Sequence, residues 1–180
     1  MSGQNFIVPP RNWNAIEKSA QDWRAAFKLE DVAHTPITDM LEKVLDLRLG
    51  VFNLVIEESS VMGSAEGYTD PNGEFIMLRE DVYRGACAGD RRDRFTAAHE
   101  FGHWAMHTNV PLARATSDRK IEPYRLSEPQ ANHFASALLM PAQFFSAWDT
   151  PQTVMDRHGV SYQAACHRLD YLNRKGMIKK

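Results

Sequence analysis

The chain has 180 residues, 43% apolar and 24% charged, with a formal net charge of −2, the profile of a soluble globular domain rather than a disordered, collagen-like or rod-like chain. Its two cysteines, Cys87 and Cys166, stand far apart, which excludes a disulfide-dense scaffold and a four-cysteine zinc site. No apolar run approaches the ~20 residues of a membrane span, and residues 1–13 lack the charged start and apolar run of a secretory signal, so the expected location is the cytoplasm.

In chain order, the first dozen residues read as a tail broken by Pro9 and Pro10. Trp13, Ile16, Ala20, Trp23 and Phe27 recur at spacings of three and four, which predicts an amphipathic helix over 12–27. A second helix, with Pro36 in its first turn, would bury Ile37, Met40, Leu41, Val44 and Leu45 and stop near Gly50. Val51 to Ile56 reads as a strand. The turn Asp70-Pro71-Asn72-Gly73 predicts a hairpin between 65–69 and 74–78, and 84–91 reads as a loop. Helices are expected at about 92–107, 128–139, 141–148, 151–158 and 161–174. Two helices, a small antiparallel or mixed sheet and then more helices make the fold class α+β. The expected organisation is a domain over 1–150 and a C-terminal helical segment over 151–180 resembling a helix-turn-helix and packed on the same domain.

The chemistry concentrates at His99-Glu100-Phe101-Gly102-His103, an H-E-x-x-H motif. With 7 histidines in the chain, chance supplies only about 0.016 such matches. On a helix the two imidazoles sit about 6 Å apart along the axis and on one face, so both can hold one metal ion. Glu100, one position on, is placed to take a proton from a water activated at that ion. Phe95, Ala98, Phe101, Gly102, Ala105 and Met106 give this helix its apolar stripe. A plain pair of structural histidines is the alternative, but it leaves Glu100 as a charge beside that stripe without a partner.

A third ligand has to come from elsewhere. Position 109, six residues after His103, is Asn109, and His107 lies a further turn along the axis, too far to share the ion. Glu128 is the better candidate. It precedes Pro129 at the start of the next helix, where the helix dipole favours an ionised carboxylate, and Ser127 with Gln130 has the spacing of a capping box. Asn132, four residues after Glu128 and on its face, is placed to hydrogen-bond a ligand histidine and fix its tautomer.

At these residues the sequence resembles the ImmA/IrrE family of metallopeptidases. The resemblance lies in Arg94 to His103 and in Glu128 to Pro141, with Gln130 where the family often carries a second Glu. It implies a zincin-like fold, a zinc ion (or another divalent ion such as Mn2+) on His99, His103 and Glu128, and Glu100 as general base. It also implies proteolysis of a partner protein, a helix-turn-helix repressor. Two other classes of function stand beside this one. A capture protein would bind the repressor without cutting it, although binding alone needs no base beside the metal. A DNA-binding regulator would use 151–174, although its basic side chains are few for reading bases.

Several other residues carry weaker signals. His107, His133, His158 and Tyr124 are candidates for polarising a scissile carbonyl. Arg91, Arg92 and Arg94 read as a solvated cluster paired with Asp90 or Asp93. A strand over Phe75–Leu78 would hold substrate by edge pairing.

Overall fold

The computed structural model describes residues 5–114 and 121–178; residues 1–4 of the expected tail and the last two residues of the C-terminal segment lie outside the described residues. The elements, in order, are β1 (Phe6–Ile7), α1 (Trp13–Ala26), α2 (Ile37–Asp39), β2 (Asn53–Glu57), α3 (Ser59–Met62), β3 (Gly67–Thr69), β4 (Phe75–Arg79), α4 (Glu80–Ala88), α5 (Arg91–His107), β5 (Ala113–Arg114), α6 (Ser127–Leu139), α7 (Pro151–His158) and α8 (Tyr162–Arg174). The class is α+β, with a small mixed sheet. No described helix is long and apolar enough to cross a membrane.

The sheet runs β2-β4-β3. β3 and β4 pair antiparallel, as the Asp70–Gly73 turn dictates, while β2 lies parallel to β4. This overturns the expectation that Phe75–Leu78 holds substrate by edge pairing. β4 is the central strand and its hydrogen-bonding groups face neighbours on both sides; the edge beside α5 belongs to β3.

Three further elements depart from the sequence reading. Residues 84–91 are not a loop: α4 continues through Ala88 before Gly89 adopts a left-handed turn. Glu80 and Asp81 suit its first turn, and Val82 and Ala86, four apart, supply its buried face. The second helix is α2 continued by a wider π-helical turn over Met40–Asp46. The stretch 141–148 keeps only a single 3₁₀ turn at Ala142–Phe144. The tail, in turn, is partly ordered, because Phe6 and Ile7 pair antiparallel with Arg114 and Ala113.

The core gathers Ile16 and Ala20 of α1, Leu41 and Leu45, Ile76 and Leu78 of β4, Phe101 of α5, Phe134 and Leu138 of α6, and Val154, Leu169 and Leu172 of the last two helices. α5 and α6 cross closely. A Cβ at Gly102 would stand 3.0 Å from Phe134 Cδ1 and 3.2 Å from the Ala131 carbonyl, so the missing side chain sets the helix spacing.

Buried arginines bind the layers together. Arg24 donates to Thr35 Oγ1 and to the Leu138 carbonyl. Arg94, 3% exposed, donates to the carbonyls of Thr35 and Gly159. Arg91 pairs with Asp156 and Arg92 with Glu66. Arg91 and Arg92 are thus solvent-accessible as expected, whereas Arg94 is buried; the pairing is corrected, since the arginines meet Asp156, Glu66 and backbone carbonyls while Asp90 caps α5 through its own carboxylate.

Candidate metal centre

α5 and α6 together build the site. Asp90 Oδ1 accepts from the backbone amides of Arg92 and Asp93 at 2.9 and 3.0 Å, which starts α5 cleanly and fixes the rotation of its later turns. His99 and His103 then project from one face with their Nε2 atoms 2.9 Å apart. α6 starts directly opposite, and Glu128 in its first turn places Oε2 3.3 Å from His99 Nε2 and Oε1 3.2 Å from His103 Nε2. His99, His103 and Glu128 form the one cluster of three potential metal ligands among the described residues.

The three donors fit a divalent ion. Ligand bonds of 2.0–2.1 Å in a tetrahedral arrangement separate neighbouring donors by about 3.3 Å, close to the triangle observed. Burial pushes the Glu128 carboxyl up, but the His103 and His99 imidazoles, in their protonated form, more than reverse this and bring it to about 2. His99 Nδ1 lies 3.0 Å from the carbonyl oxygen of Asn132. That oxygen only accepts, so Nδ1 carries the proton and Nε2 turns its lone pair toward the cluster. Two imidazoles and a carboxylate are a donor set that catalytic zinc sites use with one position left open.

Glu100 is 3% exposed and sits beside this cluster under β3. The Thr69 hydroxyl stands 2.8 Å from Glu100 Oε2 and 3.0 Å from the Glu100 carbonyl, anchoring the carboxylate to the edge strand. Tyr68, Thr69 and Asp70 join Glu100, His103, Glu128 and Phe6 around a cleft of about 100 Å³. A larger groove of about 490 Å³, lined by residues including Trp13, His133 and Tyr171, includes Asn132 but neither His99 nor His103, whereas the smaller cleft has Glu100, His103 and Glu128 in its wall.

The remaining candidates from the sequence are placed differently. Ser127 and Gln130 form no capping box. Ser127 Oγ accepts from the Phe6 amide at 3.1 Å, and Leu126 is the capping residue. The Gln130 side chain turns away, toward His107 and the carbonyls of Pro9 and Tyr124. His107 does line the cleft, but it is buried with both ring nitrogens engaged, Nδ1 by His103 and Nε2 by Gln130; burial first, and His103 second, hold its pKa at about 4. His133 Nε2 lies 2.9 Å from Glu17 Oε1, off the line of a good hydrogen bond, and His158 is fully buried against the Ala33 carbonyl. Neither faces the cleft. Tyr124 is half-exposed and does not line it. Thr69, Gln130 and the His103–His107 contact are the features that sequence reasoning missed.

Residues 52–170 match the model of the IrrE N-terminal-like domain, a peptidase family. The chain belongs to that family. Among solved structures, a Mycobacterium tuberculosis transcriptional regulator shares the fold, with a TM-score of 0.52 at 16% identity over 87% of this chain and 46% of that one. This IrrE-family domain thus spans less than half of that larger protein. No curated protein sequence matches the chain.

Proposed function

We propose that this IrrE-family protein is a zincin-like, metal-dependent endopeptidase that cuts a partner protein, a helix-turn-helix transcriptional repressor. The observation that carries the hydrolytic reading is the position of Glu100. It is a buried carboxylate beside three converging metal donors, held by Thr69 and open to the cleft. A capture protein has no use for a base there.

His99, His103 and Glu128 would hold the ion, zinc by the chemistry of the donors. When bound, the ion supplies Lewis acidity to a water and to the scissile carbonyl. Glu100 takes the proton of the attacking water and returns it to the departing amine. Thr69 keeps the Glu100 carboxylate aimed into the cleft. β3 offers an edge along which an extended substrate segment can lie. The repressor as substrate is supported by the family resemblance.

The test is Glu100→Gln, which preserves size and hydrogen bonding but accepts no proton. The variant should bind zinc and repressor like the wild type, while cleavage falls by about 10²–10⁴-fold. Wild-type binding without fragments, with equal relief of repression by the variant, would replace this reading by the capture protein.

A further inference from the structure

His107 stands one turn beyond His103 and does not belong to the ligand triangle, yet its Nδ1 lies 3.0 Å from His103 Nδ1. Two imidazole nitrogens at that distance need one proton between them, so one donates and the other accepts. The direction is decided farther from the metal, by Gln130. This side chain is fully buried. Its amide nitrogen donates to the Tyr124 carbonyl at 2.7 Å and to the Pro9 carbonyl at 3.1 Å. Backbone carbonyls only accept, so the amide cannot turn over without setting its oxygen against two others. Gln130 Oε1 is thereby fixed facing His107 Nε2, 3.0 Å away, and must accept there.

The consequence passes along the chain. His107 carries its proton on Nε2 and presents a bare Nδ1. His103 must then carry its proton on Nδ1, which leaves its Nε2 lone pair facing Glu128 and His99.

We propose that Gln130 and His107 are positioning residues that set the tautomer of His103, so that Nε2 is free to take the metal. The inference rests on the reading of His103 as a ligand. It gives His103 the same service that Asn132 gives His99, by a separate route that starts from two backbone carbonyls.

Nitrogen-15 NMR of the metal-free protein, at a pH above the imidazole range, reads the tautomers directly. In wild type the proton is expected on Nδ1 of His103 and on Nε2 of His107; a His103 protonated on Nε2 alone overturns the proposal. Zinc affinity, measured by chelator competition, supplies the second readout. His107→Phe removes the acceptor and should weaken zinc binding about 10–100-fold. His107→Asn can return an acceptor oxygen near the lost Nδ1 and should recover most of that loss, which a purely space-filling role would not predict. Equal zinc affinity in wild type and His107→Phe overturns the proposal. If wild type itself binds no zinc, the metal reading falls, and the NMR tautomers still decide whether Gln130 and His107 orient His103. Because that measurement needs only wild type, a variant that fails to fold does not block it.

Discussion

Gly67 lies so close to Glu100 that a Cβ built on it would stand 2.5 Å from Glu100 Cγ and 2.7 Å from Oε1. The edge strand and the carboxylate therefore share one space, and the absent side chain is what lets Glu100 lie beneath β3 with Thr69 as its hydrogen-bond partner. Gly67→Ala should push the carboxylate aside while leaving His99, His103 and Glu128 in place. Displacement by about 1 Å can cost about 10²-fold in rate. Zinc affinity should be unchanged and repressor cleavage down by about that factor. Full cleavage by the variant would show that the position of Glu100 is not decisive.

Asn132→Ala removes the acceptor that holds His99 Nδ1 at 3.0 Å. Asn132 is on the surface-facing side of α6, so the fold should survive, with an unfolding midpoint near wild type. Zinc should bind about 10–100-fold more weakly. Unchanged affinity in a chelator titration would reduce Asn132 to a polar surface group.

The legible part of this molecule is the part carried by local spacing. The stripe from Trp13 to Phe27, the four-residue step from His99 to His103 and the four-residue step from Glu128 to Asn132 are each properties of one helix, and each could be read without knowing what the helix touches. Gly67 and Thr69 reach Glu100 across 31 to 33 residues of chain, and no local period encodes that contact. Gln130 shows the same limit from another side. Its offset from Ser127 has the spacing of a cap, but burial against Pro9 and Tyr124 gave its amide a different task. β1 and β5 span two residues each, too few to show alternation. α4 was hidden by Gly85, a poor helix former in isolation, which sits where a Cβ would meet Asp93 Oδ2 at 1.8 Å. The central place of β4 depends on its parallel pairing with β2, a non-local choice.

The buried carboxylate of Glu17 gives stability a dependence on pH. Burial pushes Glu17 up, but Arg168 and His133 more than reverse that and bring it from 4.5 to about 2. A group depressed in the folded state contributes above its unfolded pKa and loses the contribution as pH falls toward its folded pKa. The Glu17 contribution, about 3 kcal/mol, is therefore complete above pH 4.5 and fades between 4.5 and about 2. Urea unfolding of Glu17→Gln should show lower stability at pH 7 and a flatter decline across that acid window. A decline as steep as wild type would assign acid sensitivity to other carboxylates.

Arg168 also bears on the DNA-binding alternative. It is one of the few basic side chains that residues 151–174 could offer DNA, yet it is 1% exposed, donating to Glu17 Oε2 at 2.9 Å and to the Met140 carbonyl at 2.9 Å. An arginine so placed cannot reach a base or a phosphate. Val154, Val160, Ala165, Leu169 and Leu172 around it belong to the same buried cluster as Phe101 and Phe134, so α7 and α8 are committed to the core. Arg168→Met leaves the Glu17 charge buried without its guanidinium and should cost about 3–5 kcal/mol. The double variant Glu17→Met, Arg168→Met removes both charges and should recover most of that loss, since an apolar pair of similar volume often replaces a buried ion pair without penalty. If the C-terminal helices served DNA through their other basic side chains, wild type would instead bind one duplex sequence selectively at physiological salt. The expected result is a large drop in stability for Arg168→Met, and with duplex DNA only weak binding that fades as salt rises, the same for wild type and the double variant.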